Sequence, residues 1–315
     1  MSKVTVGVVQ ATPAFFDLNQ TLDRVDHWLQ QAAAQGCQLV LFPESFIPGY
    51  PRGFTFGSVV GRRSEAGRDL YQRYWESSVE VPGEACNRLE KMAQNYGVYL
   101  GIGVTERDLL NGTLYCTLLY FSPKAGLLGK HRKLKPTGIE RLVWGEGQGD
   151  TLISVQTAIG RMGGLICWEN YMPLARMAMY QSGVEIYLAP TADARDRWTA
   201  TLQHIALEGR CFVLGCNQFF RKEDYPEDYK VYVKDEDENL CPGGSVIISP
   251  NGEIIAGPLY HQEGLLTAEL ELSDIVRNKL DFDVVGHYSR NDVFSYKVTG
   301  QPPIIQEDDL PLSGE

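Results

Sequence analysis

The chain has 315 residues, 43% hydrophobic and 22% charged, a balance ordinary for a globular protein with room for a sizeable core. Its formal net charge of -11, with no basic stretch interleaved with aromatics, argues against a nucleic-acid partner and against docking on an anionic membrane. No apolar run reaches membrane-spanning length, and seven cysteines without framework spacing fit free thiols in a reducing cytoplasm.

The N-terminus runs straight into a strand pattern, so no signal peptide is expected: Val4, Val6 and Val8 alternate with Lys3, Thr5 and Gly7. Residues 18–35 follow helical spacing, with Leu18, Leu22, Val25, Leu29 and Ala32 on one face. Residues 38–42 form a short apolar strand that stops at Pro43-Glu44, and 45–64, rich in Gly, Pro, Arg and aromatics, read as a long loop. A helix over 84–96 precedes strands at 98–104 and 114–121, and 126–134 lead into a basic segment. Strands at 151–156 and 161–166 lead to Cys167, a helix covers 173–182, a strand 184–189, a helix 198–209 and a strand 211–217. Cys211 and Cys216 sit in that last strand and read as structural. Residues 221–240 are strongly acidic and read as a solvated loop, with a flap or subunit contact as the functional alternative. Strands at 244–249 and 253–256 flank the hairpin signal Pro250-Asn251-Gly252, and a strand at 264–270 and a helix at 271–281 close the body. The tail after Asn291 is Pro-rich and acidic, expected to be extended or to lie as an arm on a neighbour.

This alternation predicts one α/β domain over residues 1–290 with a C-terminal tail at 291–315. Gly101-x-Gly103 is too weak a signal for a dinucleotide site, and the glycines at 145–149 lack the Gly-Lys-Ser/Thr ending of a phosphate loop. The His and Cys residues show no metal-type spacing, so neither a metal nor an organic cofactor is expected.

Three strands end in an ionisable side chain: Glu44 after 38–42, Lys133 or Lys135 after the basic segment, and Cys167 at a sharp strand-to-helix turn before Pro173. Groups at the carboxyl ends of strands in α/β folds converge on a cleft. A carboxylate, an ammonium and a thiol there suit attack on an electrophilic carbon: the carboxylate takes the thiol proton and the ammonium steadies charge on the substrate heteroatom. Strand periodicity points Lys133 and Lys135 to the same side and does not separate them.

The segments Phe42-Pro-Glu-Ser-Phe-Ile-Pro-Gly-Tyr-Pro51, His131-Arg-Lys-Leu-Lys-Pro-Thr-Gly-Ile-Glu-Arg-Leu-Val-Trp-Gly145 and Gly163-Gly-Leu-Ile-Cys-Trp-Glu-Asn-Tyr-Met-Pro-Leu174 resemble, in order and spacing, the three catalytic segments of the nitrilase superfamily. The resemblance runs from Val4 to about Asn291. It implies a four-layer α-β-β-α sandwich, homodimers or larger homo-oligomers, Glu44 as general base, Lys133 rather than Lys135 as electrostatic stabiliser, Cys167 as nucleophile and Glu140 as a supporting glutamate. The surroundings of Cys167, with Ala189-Pro-Thr-Ala-Asp193, Trp198 and residues 204–209, resemble the branch acting on nitriles rather than amides. Tyr50, Thr137, Trp144, Trp168, Asn170, Thr191 and Trp198 are the candidates to line the pocket, each with an alternative structural role. The implied reaction is hydrolysis of a small organic nitrile by water to the acid and ammonia through a thioimidate and a thioester, with an amide as by-product. An amidase or carbamoylase with the same triad, a cyanide-hydrolysing enzyme and a catalytically silent scaffold are the rival readings.

Overall fold

The computed structural model describes residues 3–233, 240–300 and 304–312. In chain order its elements are β1 (Lys3–Gln10), α1 (Leu18–Ala34), β2 (Leu39–Leu41), α2 (Glu65–Glu76), β3 (Val79–Glu80), α3 (Glu84–Tyr96), β4 (Tyr99–Arg107), β5 (Leu114–Ser122), β6 (Gly126–Arg132), β7 (Ser154–Thr157), β8 (Gly160–Gly164), α4 (Pro173–Gln181), β9 (Ile186–Thr191), α5 (Arg197–Gly209), β10 (Phe212–Asn217), β11 (Phe219–Phe220), α6 (Glu227–Lys230), β12 (Cys241–Ile248), β13 (Ile254–Tyr260), β14 (Gly264–Glu271), α7 (Ser273–Lys279) and β15 (Ile305–Gln306).

Strand alternation sorts the apolar residues into different layers. Val4, Val6 and Val8 of β1 and Leu39 and Leu41 of β2 pack with Met162, Ile186, Leu188 and Leu214 of a second sheet. The residues of opposite parity, Val9, Val40, Leu100 and Ile102, pack instead on Leu22, Val25 and Leu29 of α1 and Leu89 and Met92 of α3. On the far side Tyr187, Ala189 and Val213 pack on Ala178 and Met179 of α4 and Leu202 and Ile205 of α5. Strands buried on both faces require a partner layer on each, and the result is helix, sheet, sheet, helix. This is the four-layer sandwich expected.

Among the described residues the first sheet runs β14-β1-β2-β4-β5-β6, with β3 on β4, and the second β11-β12-β10-β9-β8-β7-β15, with β13 on β12. β1, β2 and β4 are mutually parallel, and β6 points the same way because two antiparallel steps separate it from β4. β8, β9 and β10 are parallel in the second sheet. The segments that carry Glu44 and Lys133 therefore leave one end of the first sheet, and those that carry Cys167 and Thr191 leave strands of the second.

Three differences from the sequence reading have physical causes. Helix α2 lacks a regular apolar stripe, since its buried positions are Gly67, Leu70 and Tyr74, and a glycine inside a helix ordinarily argues against one. Gly67 is there for closeness: a Cβ on it would stand 2.2 Å from the carbonyl oxygen of Phe56. The acidic stretch is not merely solvated loop, because Tyr225, Tyr229 and Val233 are buried between its charges, with Tyr225 and Tyr229 packed on Phe15, Phe16 and Phe54; residues 234–239 of that stretch lie outside the described residues. The tail segment at 305–306 adds a parallel strand to β7 of its own chain. Glu307 anchors it, accepting hydrogen bonds from the hydroxyls of Tyr99 and Ser122 and from the Ala158 N–H.

Candidate active site

Glu44 lies in the turn after β2. The turn rests on β4, where Phe46 N–H donates to the Gly103 carbonyl at 2.8 Å. A Cβ at Gly103 would fall 2.2 Å from Pro43 O and 2.6 Å from Glu44 Cα, so the Gly-x-Gly noted in the sequence serves close packing of the catalytic turn. Gly103→Ala is expected to cost about 2 kcal/mol or more in urea unfolding, because the obstruction is backbone, and to lower turnover of the folded fraction.

Lys133 follows β6 and Lys135 does not share its position. The strand ends at Arg132, the chain turns, and Lys133 is fully buried while Lys135 is half exposed and paired with Glu146. Lys133 Nζ donates to Glu44 Oε1 at 2.6 Å and to Glu140 Oε2 at 2.9 Å. Glu140 Oε2 also accepts the Thr137 N–H at 2.6 Å, and its Oε1 accepts the Tyr50 hydroxyl at 2.6 Å. Glu140 is thereby fixed by both oxygens. Tyr50→Phe is expected to remove one charge-assisted bond and lower kcat about tenfold with the fold kept, which steady-state kinetics and a melting curve would check.

Cys167 stands where β8 gives way to a 3-10 helix over Cys167–Tyr171, with φ at +52°, the left-handed region that non-glycine residues rarely occupy. Asn170 holds the turn: its Nδ2 donates to the carbonyls of Leu165 at 3.0 Å and Cys167 at 2.8 Å, and its Oδ1 accepts the Tyr187 hydroxyl at 2.8 Å. The Thr191 hydroxyl donates to Cys167 Sγ at 3.2 Å.

Burial, and then the neighbouring Glu44 charge, hold the Cys167 thiol well above its ordinary range, against the pull of Lys133 and Thr191. Burial likewise raises the Glu44 carboxyl despite the Lys133 ammonium. Burial works against the Lys133 charge, but Glu44 and the other neighbours outweigh it and raise its pKa, so it stays an ammonium. The resting site therefore holds a neutral thiol beside a base. Glu44 Oε1 is engaged by Lys133, and Oε2 is buried with no hydrogen-bond partner among the described residues, which leaves it to receive a proton.

Cys167 and Glu140 open onto a cavity of about 490 Å³, walled also by Tyr50, Arg52, Thr137, Trp168, Asp193, Arg195 and Leu240. A second cavity of about 380 Å³ continues past Tyr50, Arg52, Thr137 and Glu140 to Trp144 and Phe54. Glu44 and Lys133 lie beneath the floor. Tyr50, Thr137, Trp144 and Trp168 thus stand where the sequence reading placed them, and Thr191 touches the sulfur.

Two candidates do not line these cavities. Asn170 is wholly buried with its amide spent on the turn, and Trp198 is packed with Leu202 and Met179 in the outer helical layer. Both are apolar-side or backbone supports, a distinction that side-chain type alone does not make. Arg52, Asp193 and Arg195 were missed. Arg52 directly follows the glutamate segment, and its guanidinium reaches across to the Ala192 carbonyl. Asp193 accepts the Trp168 indole N–H at 2.8 Å and pairs with Arg195, whose guanidinium lies 4.8 Å over the Trp168 ring. Among the described residues no group of three or more His, Cys, Asp or Glu side chains could hold a metal ion, and no helix is long and apolar enough to cross a membrane.

A buried Glu–Lys–Cys set at converging strand ends of a four-layer sandwich defines a thiol-dependent hydrolase of carbon–nitrogen bonds. The chain belongs to the carbon-nitrogen hydrolase family, whose model matches residues 5–279. It is 52% identical over 305 residues to the bifunctional nitrilase/nitrile hydratase NIT4B of Lupinus angustifolius, covering 95% of this chain and 87% of that protein. It is 50% identical over 303 residues to an aliphatic nitrilase of Sinorhizobium fredii (strain HH103), covering 96% and 97%. Among solved structures, Saccharomyces cerevisiae Nit3, of branch 10 of the nitrilase superfamily, superposes with a TM-score of 0.73 at 20% identity over 91% of this chain and 97% of that one, a likeness of fold.

Proposed function

We propose that this protein is a nitrilase that hydrolyses a small organic nitrile to the carboxylic acid and ammonia, with Cys167 as nucleophile, Glu44 as general base and Lys133 as the cation at the reacting nitrogen. The observation that carries the reading is the division of labour on Glu44: one oxygen is held by Lys133, and the other, buried and unpartnered among the described residues, adjoins the neutral thiol. Relatives at about half identity over nearly the whole chain carry nitrilase names, which supports nitriles over amides as substrates.

In the first step the thiol proton passes to Glu44 and the thiolate adds to the nitrile carbon. The nitrogen takes up the proton relayed through the Glu44–Lys133 hydrogen bond, giving a thioimidate. Glu44 then takes a proton from water, whose oxygen adds to the same carbon, and the protonated nitrogen leaves as ammonia. A second water attacks the thioester, sulfur leaves, and the acid is released with the thiol restored. If the first tetrahedral adduct loses sulfur rather than nitrogen, the product is the amide. Backbone N–H of Trp168, just after the nucleophile, supports the adduct's charge. Glu140 keeps Lys133 aimed, and Tyr50, Thr137, Trp144, Trp168 and Thr191 shape the pocket.

The same reading makes the enzyme cytoplasmic and homo-oligomeric. Seven free thiols support the first, and exposed Ile254, Ile255, Val276 and Leu280 support the second.

Ammonia release from an aliphatic dinitrile, phenylacetonitrile, benzonitrile, cyanide and two matching amides tests the proposal. Ammonia from nitriles with the amides untouched is expected. Release from the amides alone would move the protein to the amidase branch.

A further inference from the structure

We propose that Glu169, two residues after the nucleophile, is a positioning residue whose carboxylate ties the segment carrying Lys133 to the turn carrying Cys167 and so sets ammonium against sulfur. The inference rests on the roles of Lys133 and Cys167 proposed above.

Glu169 is 1% exposed and does not reach the cavity. Its Oε2 accepts the N–H of Ile166, the residue before Cys167, at 2.7 Å. Its Oε1 accepts the N–H of Leu134, the residue after Lys133, also at 2.7 Å. The first bond is the familiar reach of a glutamate back to the start of its own helical turn, and capping alone would account for it. The second is not capping, since Leu134 is 35 residues away and leaves a strand of the other sheet. One rigid, planar group therefore spans the gap between the two catalytic segments.

His131 completes the arrangement. It lies two residues before Lys133, is fully buried, and places Nε2 at 3.0 and 3.2 Å from the two Glu169 oxygens and Nδ1 at 3.0 Å from the Thr151 carbonyl. Both ring nitrogens face acceptors, so both carry hydrogen and the ring is an imidazolium against a carboxylate. Burial opposes that charge, and Glu169 outweighs burial, raising the His131 pKa. A buried ion pair is poor value for stability alone, because its desolvation offsets the attraction; what it does well is fix a unique geometry. Here the geometry is the spacing of two reacting groups, where a displacement of about 1 Å can cost about 100-fold in rate.

Two variants test this. Glu169→Gln keeps the shape but has one acceptor oxygen, so its amide NH₂ faces one of the two backbone donors. His131→Gln leaves both backbone bonds to Glu169 and removes only the imidazolium. Each is measured for kcat and KM on the best nitrile, for the rate of Cys167 alkylation by iodoacetamide read by peptide mass, and for near-UV circular dichroism and melting. Glu169→Gln is expected to lower kcat about 100-fold with KM within about threefold, and to slow alkylation at least about tenfold in folded protein. His131→Gln is expected to lower both rates by about tenfold. A folded Glu169→Gln protein with kcat and alkylation within about threefold of the parent overturns the proposal. If that variant does not fold, His131→Gln with both rates within about twofold of the parent overturns it. Alkylation needs no nitrile, so a parent enzyme that turned over no nitrile would sink the proposed function while this comparison still decided the role of Glu169.

Discussion

Cys167→Ala is expected to lower kcat/KM for the nitrile by about 10⁴-fold or more while leaving a folded protein, because every bond change in the reaction passes through sulfur. The fold should tolerate the change. The lost contact is a single hydrogen bond from the Thr191 hydroxyl, and the side chain is small. The turn itself is held by Asn170 and not by the thiol. The stability cost is therefore about 1 kcal/mol, within the range for one net hydrogen bond. Ammonia release and thermal unfolding on the same preparation check both halves. Turnover within about tenfold of the parent would remove Cys167 from the mechanism, and with it the nitrile reading.

Lys133→Met is expected to lower both activity and stability, an unusual pairing for an active-site residue. The ammonium is fully buried between Glu44 and Glu140, and removing it leaves two carboxylates facing each other under the cavity floor. Breaking a buried ion pair on one side costs about 3–5 kcal/mol, unless a carboxyl takes up a proton. The turnover number should fall about 10³-fold, because the relay to nitrogen and the stabilising charge disappear together. The double variant Glu44→Gln/Lys133→Met separates the two effects. It should regain much of the lost stability, since no unpaired charge remains at that position, and none of the activity. Urea unfolding of the parent, the single and the double variants reads the coupling directly. A Lys133→Met protein as stable as the parent would mean that Lys133 does not balance the carboxylates and would undercut its assigned role.

The periodicities in the chain carried most of the architecture. Valines two apart in β1 and apolar residues three and four apart in α1 are local patterns, and they report which face of an element is buried wherever the element lies. Helix α1 and the hairpin at Pro250-Asn251-Gly252 appear where those patterns place them. The three catalytic segments were legible for a different reason. Glu44, Lys133 and Cys167 each end a strand, and strand ends in this fold class share a rim. Helix α2 escaped because its stripe is broken by a glycine whose purpose is a contact with Phe56, ten residues away in sequence and invisible to a periodic pattern.

What only the tertiary structure decided is the set of choices between chemically equal residues. Lys133 and Lys135 have the same side chain and the same strand parity, and they differ because the chain turns after Arg132, sending one into a buried pair with Glu44 and the other out to Glu146. Asn170 and Trp168 lie within three residues of the nucleophile, yet one is consumed by backbone carbonyls and the other faces the cavity. Glu169 looks like an ordinary cap until the N–H of Leu134 arrives from the other sheet. Sequence alone determined which residues are chemically able to act and on which elements they sit, because those properties are local. The partner each one meets was decided by folding, because hydrogen bonds between residues 35 and 89 positions apart exist only once the ends of two sheets are brought together.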